Sequence, residues 1–131
     1  MILVDSSAWI EYQRATGSNA DHRLTEAIAS GERLATMGLV VLEVLAGARD
    51  EQHAHDLRRL LARCRFLRLE EPSDHEAAAA LYRACRREGA TIRRLPDCLI
   101  AIVAMRSGST LLQRDADFET IARHVPLVLA G

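Results

Sequence analysis

The sequence predicts an α/β protein, a three-layer α/β/α sandwich with a mostly parallel central sheet. Short apolar runs rich in β-forming residues alternate along the chain with longer segments of helical periodicity. The strand candidates are continuously apolar, which is typical of parallel strands covered on both faces. The length of 131 residues suits one domain, and we expect residues 1–131 to form it.

The first quarter of the chain contains two predicted strands that enclose two helices. Residues 2–4 (Ile-Leu-Val) form a short β-forming run, and Ser6 and Ser7 are suitable N-caps for the helix that follows. One face of the next helix is apolar and consists of Leu24, Ala27 and Ile28. Gly31 ends this helix, and residues 33–36 predict the second strand.

Two further helices and a strand are predicted up to residue 72. Residues 38–48 predict a mostly apolar helix in which Glu43 is the one carboxylate. The next helix has an apolar stripe that consists of Leu57, Leu60, Leu61 and Cys64, with arginines on its other faces. Residues 66–69 alternate weakly between apolar and polar and predict a strand, which ends at the Glu-Glu-Pro segment 70–72.

The last part of the chain predicts two longer helices and a strand before the C-terminal segment. Residues 73–88 begin with the Ser-x-x-Glu spacing of a capping box and predict a long helix. Residues 96–106 predict another, because Pro96 and Asp97 suit a first helical turn. The remaining predicted elements are a strand at 110–112, a short helix at 118–123 and a strand at 127–129.

The basic residues are unusual in type and distribution. All 17 are arginine, so Schiff-base catalysis by lysine and phosphate binding by a P-loop lysine are excluded. The net charge of -1 speaks against a globally basic nucleic-acid-binding protein, yet residues 58–94 contain ten arginines and five acids. This basic segment is either a solvated helix face or a contact surface for nucleic acid.

The cysteines and the apolar runs indicate a cellular location. Three widely spaced cysteines, Cys64, Cys85 and Cys98, predict neither a disulfide framework nor a zinc site. Asp5 interrupts the N-terminal apolar run, so we expect no signal peptide, and no run is long enough for a membrane span. We therefore expect a cytoplasmic protein.

Four carboxylates lie where a parallel sheet would present a ligand site. Asp5 and Asp115 follow predicted strands, Asp97 begins a helix, and Glu43 interrupts an apolar one. Each acid alone can be explained as a helix cap, a partner of the helix dipole or a salt-bridge partner of an arginine. Brought to one edge they would repel one another, and a divalent cation with oxygen ligands is the usual way to hold them together.

Four segments together resemble the PIN-domain family, and in particular the VapC-type toxins of bacterial type II toxin–antitoxin pairs. They are residues 2–10, 43–47, 97–101 and 114–118. The resemblance implies an endoribonuclease that depends on Mg²⁺ or Mn²⁺. The residues that match the acidic, metal-binding and catalytic set of the family are Asp5, Glu43, Asp97 and Asp115. Ser6 and Ser7 match its hydroxyl positions. Asp117 is also expected at the metal site, in a supporting or structural role, and the sequence leaves open whether Asp115 or Asp117 is the fourth catalytic acid.

In a family member of this kind, the metal would lower the pKa of bound water and stabilise the leaving oxygen. Asp5 and Asp97 would be direct ligands, while Glu43 and Asp115 would bind a second metal or orient the water. The arginines that could contact RNA phosphates are Arg86, Arg87, Arg93, Arg94 and Arg114.

The resemblance also implies protein partners. We expect a cognate antitoxin whose C-terminal tail covers the acidic edge, a homodimer, and a toxin–antitoxin hetero-oligomer that binds its own promoter through the antitoxin. Two alternatives remain: a catalytically silent metal-binding module that acts through a protein partner, and a phosphatase or structure-specific DNA nuclease on the same sheet. The sequence does not indicate which RNA would be cleaved, because target choice depends on groove shape and on bases splayed into it.

Overall fold

The computed structural model describes residues 1–131. Strands and helices alternate along the chain, and their bounds are β1 (Ile2–Val4), α1 (Ser6–Gln13), α2 (Asn19–Ser30), β2 (Leu34–Thr36), α3 (Gly38–Ala46), α4 (Glu51–Leu61), β3 (Arg65–Phe66), α5 (Ser73–Arg87), α6 (Leu95–Arg106), β4 (Thr110–Leu112) and α7 (Ala116–Ala122). No helix is both long enough and apolar enough to span a bilayer.

The four strands form one parallel sheet in the order β3-β2-β1-β4. From β1 the chain builds outward to β2 and β3, and it then crosses to the other side of β1 to form β4. The carboxyl ends of β1 and β4 therefore flank the point where the strand order reverses. Ligands bind at this point in open α/β sheets. The predicted fold class is confirmed.

Helices cover both faces of the sheet. Leu3 and Val4 are neighbours in β1, so their side chains point to opposite faces, and both are completely buried. Helices α1 to α4 form one continuous set of contacts, and α5 to α7 form another. The sheet is thus the middle layer of the sandwich and its strand ends are the accessible edge.

Two predicted helix caps are wrong. The N-cap of α1 is Asp5 rather than Ser6 or Ser7, because its carboxylate accepts a hydrogen bond from the Ser7 backbone N–H at 3.0 Å. At α5 the predicted capping box does not form and no side chain caps the helix. The carboxylate of Asp74 instead accepts from the Glu70 backbone N–H at 2.8 Å, which fixes the turn before the helix.

Two predicted strands are shorter in the structure. The strand expected at 66–69 is only β3, an edge strand that pairs with β2 alone and leaves Phe66 55% exposed. The strand expected at 127–129 is a single bridge between Leu111 and Leu129. Only one residue pair of this segment lies in bridging position against β4. Two backbone hydrogen bonds therefore join the segment to β4, and both involve Leu111.

A partly buried ion pair, with its carboxylate buried and its guanidinium 31% exposed, joins α5 to α6 and predicts a stability effect. Asp74 is 3% exposed, and its two oxygens accept from the Arg106 guanidinium at 2.9 and 2.7 Å. The Arg106 hydrogen bonds lower the pKa of Asp74. We expect Asp74→Ala to lower the free energy of unfolding by about 2 kcal/mol at neutral pH, because it leaves Arg106 without this partner.

The pH dependence of this effect follows from the lowered pKa. The stabilisation is fully present above the pKa of the unfolded carboxyl and is lost as pH falls through the lower folded pKa. Denaturant titrations at about pH 7 and below about pH 3 should show the difference between wild type and variant shrinking in acid. Glu70→Ala is the matched control, since Glu70 contacts Arg106 at 3.5 Å but is largely exposed. Equal losses in both variants would contradict the expectation.

Candidate metal and active site

The structure brings the acidic residues to the edge where the strand order reverses. Asp5 follows β1 directly, and Asp115 follows β4 as the N-cap of α7. Asp97 lies in the first turn of α6, and Glu43 lies in α3. Asp5 is close enough for its charge to raise the pKa of Asp97, and Glu43 acts on Asp5 in the same way. The four side chains form one electrostatically coupled group.

Asp5 is held in place by Ser7. The Asp5 carboxylate is 2% exposed and accepts from both the backbone N–H and the hydroxyl of Ser7. The same hydroxyl oxygen accepts from the backbone N–H of Arg114 at 3.0 Å, so it joins the ends of β1 and β4. Burial raises the pKa of Asp5, while these hydrogen bonds oppose the rise. Ser6 is buried beside it.

Asp97 is the most strongly perturbed of the four acids. Asp97 is 1% exposed, and its Oδ2 atom is buried and has no hydrogen-bond partner. Burial, a hydrogen bond with Asp117, and the charges of Asp5 and Asp115 raise the pKa of Asp97 from 3.8 to about 8. The site therefore contains more negative charge than its own cations neutralise.

Asp117 and Asp115 hold different parts of the backbone. The two oxygens of Asp117 accept from the backbone N–H groups of Arg93 and Arg94 at 3.1 and 2.9 Å, which fixes the loop before α6. Burial opposes ionisation of Asp117, but these donors lower its pKa overall. Asp115 caps α7 by accepting from the Asp117 N–H at 2.9 Å. These contacts give Asp117 a structural role beside the candidate metal site.

Two arginines lie on the acidic cluster. Arg93 is 3.4 Å from Asp115 and 3.6 Å from Asp117, with its side chain 70% exposed. Arg94 forms an ion pair with Glu43, which raises the pKa of the guanidinium. The structure thus places both at the edge where the sequence predicted them.

The other candidate RNA-binding arginines have different surroundings. Arg114 contacts Glu11 at 3.1 Å and reaches the cluster only through its backbone. Arg86 lies 5.7 Å from the centre of the Tyr82 ring. Arg87 is exposed near the end of α5 and forms no ion pair. The structure does not bring Arg86 or Arg87 into contact with the carboxylates.

The donor set fits a hard divalent cation such as Mg²⁺ or Mn²⁺, because it consists of carboxylate oxygens. Oxygen atoms of Asp97, Asp115 and Asp117 lie within 4.8 Å of one another. Glu43 Oε1 and Asp97 Oδ2 are buried and accept no hydrogen bond. Buried carboxylate oxygens normally have a partner, so these two are suited to coordinate a metal.

A pocket beside Glu43 was missed by the sequence analysis. It has a volume of about 230 Å³ and lies between the C-terminal ends of α1 and α3 and the start of α4. Arg14, Arg49 and His53 line it. Arg14 is distant in the sequence from Arg49 and His53, and the three belong to no motif, so no sequence signal indicated that they would meet.

Comparison with known proteins identifies the family. The PIN domain family model matches residues 2–124. Ribonuclease VapC11 of Mycobacterium tuberculosis (strain ATCC 25618 / H37Rv) is 44% identical over 132 residues, which span 100% of this chain and 98% of that protein.

Solved structures share the fold at low sequence identity. VapBC2 from Rickettsia felis, bound to a promoter DNA fragment, superposes with a TM-score of 0.75 at 19% identity and covers 99% of this chain and 98% of that one. A toxin–antitoxin complex from Klebsiella pneumoniae gives a TM-score of 0.72 at 19% identity, with 99% and 97% covered. Family model, relative and fold agree with the resemblance of the four acidic segments: the chain belongs to the PIN domain family and, within it, to the VapC ribonucleases.

Proposed function

We propose that this protein is a toxin endoribonuclease that hydrolyses RNA phosphodiester bonds with Mg²⁺ or Mn²⁺. The observation that carries the proposal is the pair of buried, unpartnered oxygens, Asp97 Oδ2 and Glu43 Oε1, at the ligand-binding edge of the sheet. Its relative VapC11, 44% identical, is named a ribonuclease, which supports RNA as the substrate.

Asp5 and Asp97 are proposed as direct metal ligands, with Glu43 and Asp115 binding a second ion or orienting the attacking water. A bound cation supplies a water of lowered pKa and neutralises charge on the leaving oxygen. Ser7 positions Asp5 through two hydrogen bonds, and Asp117 holds the loop that leads into Asp97. The attacking group in this proposal is water, which a divalent cation held by these carboxylates would activate.

The test is an RNA cleavage assay in which the metal is varied. The purified chain is incubated with total bacterial RNA in Mg²⁺, in Mn²⁺ and in EDTA, and the fragments are sequenced. We expect discrete cuts with either metal and none in EDTA. Metal binding without RNA cleavage would favour the silent metal-binding module. Preferential cleavage of DNA flaps would favour the DNA nuclease.

Arg93 and Arg94 are proposed to hold RNA phosphates at the acidic edge, with Arg114, Arg86 and Arg87 further along the strand. We expect the double change Arg93→Ala and Arg94→Ala to weaken binding of single-stranded RNA. The slope of log affinity against log salt should become smaller by about 1.4, since each phosphate contact on a single strand contributes about 0.7. Fluorescence anisotropy in EDTA measures both quantities without cleavage.

The matched control for this pair is Arg58→Ala with Arg59→Ala, which removes the same charge from the exposed face of α4. The control should leave the salt slope nearly unchanged. If both double variants behave alike, or if the first binds RNA as the wild type does, Arg93 and Arg94 serve only to neutralise the carboxylates.

We propose a cognate antitoxin and a toxin–antitoxin hetero-oligomer as the cellular state, with the cytoplasm as the location. A toxin–antitoxin complex among the structural neighbours supports the partner. A homodimer is also part of the proposal. It is supported by exposed apolar side chains beside the site, since Leu42 is 63% and Leu95 is 58% exposed.

A further inference from the structure

Apart from Glu43, the residues that line the pocket beside α3 belong neither to the proposed metal ligands nor to the arginines proposed to hold RNA at the acidic edge. Glu43 forms part of its wall, so the pocket and the acidic cluster share a side chain.

The charge of this pocket differs from that of the neighbouring cluster. Arg14 and Arg49 line it, are exposed and form no ion pair with any carboxylate. Glu43, its only acidic wall residue, is already paired with Arg94. By contrast, Arg93, Arg94 and Arg114 are all paired with acids. The pocket therefore presents two free guanidinium groups, which favour an anionic ligand such as phosphate.

His53 and Ile10 add a hydrogen-bond donor and an apolar surface. The Nδ1 atom of His53 accepts from the Arg49 backbone N–H at 3.0 Å, so in the neutral ring the hydrogen is on Nε2. Nε2 forms no hydrogen bond within the protein and remains free to donate. Ile10 is 39% exposed at the same pocket and offers a surface for the face of a base.

We infer that this pocket binds one nucleotide of the RNA strand next to the scissile phosphate. Arg14 and Arg49 hold its phosphate, the base packs against Ile10, and His53 Nε2 donates to a base or phosphate oxygen. This inference rests on the proposed ribonuclease function. RNA-binding proteins select single-stranded targets by bases that are splayed into pockets of this kind.

The test measures RNA affinity without cleavage. A fluorescently labelled, short single-stranded RNA of randomised sequence is titrated with the wild-type chain in EDTA. We expect Arg14→Gln with Arg49→Gln to weaken binding roughly tenfold and to make the salt slope smaller by about 0.7, because the two arginines hold one phosphate. Arg58→Gln with Arg59→Gln removes the same charge elsewhere and should change affinity less than about twofold. Thermal unfolding of each variant verifies that the fold is retained.

Separate outcomes distinguish this inference from the proposed function. If the wild type cleaves RNA with metal but the Arg14 and Arg49 variant binds RNA normally, the pocket inference is overturned and the nuclease proposal stands. If no metal supports cleavage and the variant still loses RNA affinity, the nuclease proposal fails and the pocket is supported only as an RNA-binding site. Loss of affinity for the antitoxin alone would overturn the inference and assign the pocket to the protein partner.

A second variant tests the base contact. His53→Ala should change the nucleotide preference beside the cut, which sequencing of the cleavage fragments measures. The total rate of cleavage of mixed-sequence RNA should change by a smaller factor than the rate at the preferred sites. An unchanged cut pattern would contradict a base contact by His53.

Discussion

Replacement of Asp5 by Asn is expected to abolish metal-dependent RNA cleavage while leaving the protein folded. The loss of rate should be at least about a thousandfold, which corresponds to roughly 4 kcal/mol of transition-state stabilisation. An amide oxygen is a weaker ligand for Mg²⁺ or Mn²⁺ than a carboxylate and brings no negative charge to the site. Asn is nonetheless one of the best N-cap residues, so it can still accept from the Ser7 N–H and keep α1 capped.

Asp5→Ala is the informative companion to this variant. It removes the charge and the cap together, so we expect the same loss of cleavage and an additional loss of about 1 kcal/mol in the free energy of unfolding. Single-turnover cleavage in Mn²⁺ and guanidinium denaturation measure the two effects separately. Retained metal-dependent ribonuclease activity in Asp5→Asn would defeat the assignment of Asp5 as a ligand.

The position of Asp5 could be predicted because it depends on local pattern and on one topological rule. An uninterrupted Ile-Leu-Val run indicates a buried parallel strand, and the ends of such strands meet at one edge of the sheet. The same reasoning brought Asp115 to that edge. The length of β3 could not be predicted in this way, because an edge strand ends where its single neighbour stops supplying hydrogen bonds.

The sequence pattern could not predict which side chains from distant segments contact one another. Arg94 and Glu43 are 51 residues apart, and only the packing of α3 against the loop before α6 makes them partners. Arg86 and Arg87 were expected on the helix now seen as α5, as arginines that could contact RNA phosphates. Arg86 lies beside Tyr82, and neither arginine contacts the carboxylates. Charge patterns identify exposed faces, whereas the fold decides which faces border the site.

Metal removal links this site to stability, and the effect should be large. In EDTA the free energy of unfolding is expected to fall as pH rises from about 4 to about 8. Burial, the Asp117 hydrogen bond and the neighbouring acids raise the pKa of Asp97 to about 8. Across this interval the folded protein keeps a proton that the unfolded chain releases, so rising pH favours unfolding. Because four neighbouring acids share the titration, the expected fall is on the order of 1 to 2 kcal/mol, less than the full shift of one isolated group would give.

Asp97→Asn isolates this contribution, because it removes the titrating group and keeps the size of the side chain. Above about pH 8 the variant should be more stable than the wild type in EDTA, and its stability should depend less on pH. In Mn²⁺ the wild type should instead be more stable than the variant. The ion binds the ionised wild-type site and stabilises the folded state more as more of the sites are occupied.

Denaturant titrations at about pH 5, 7 and 9, with EDTA or with Mn²⁺, provide the full comparison. Asp74→Ala is a suitable reference, because its effect is already complete above about pH 5 and does not involve the metal. If wild type and Asp97→Asn lose stability equally between pH 5 and 9 in EDTA, Asp97 is ionised in the folded protein. In that case the negative charge that the proposed metal neutralises would come from Asp5. Burial raises the pKa of Asp5 as well.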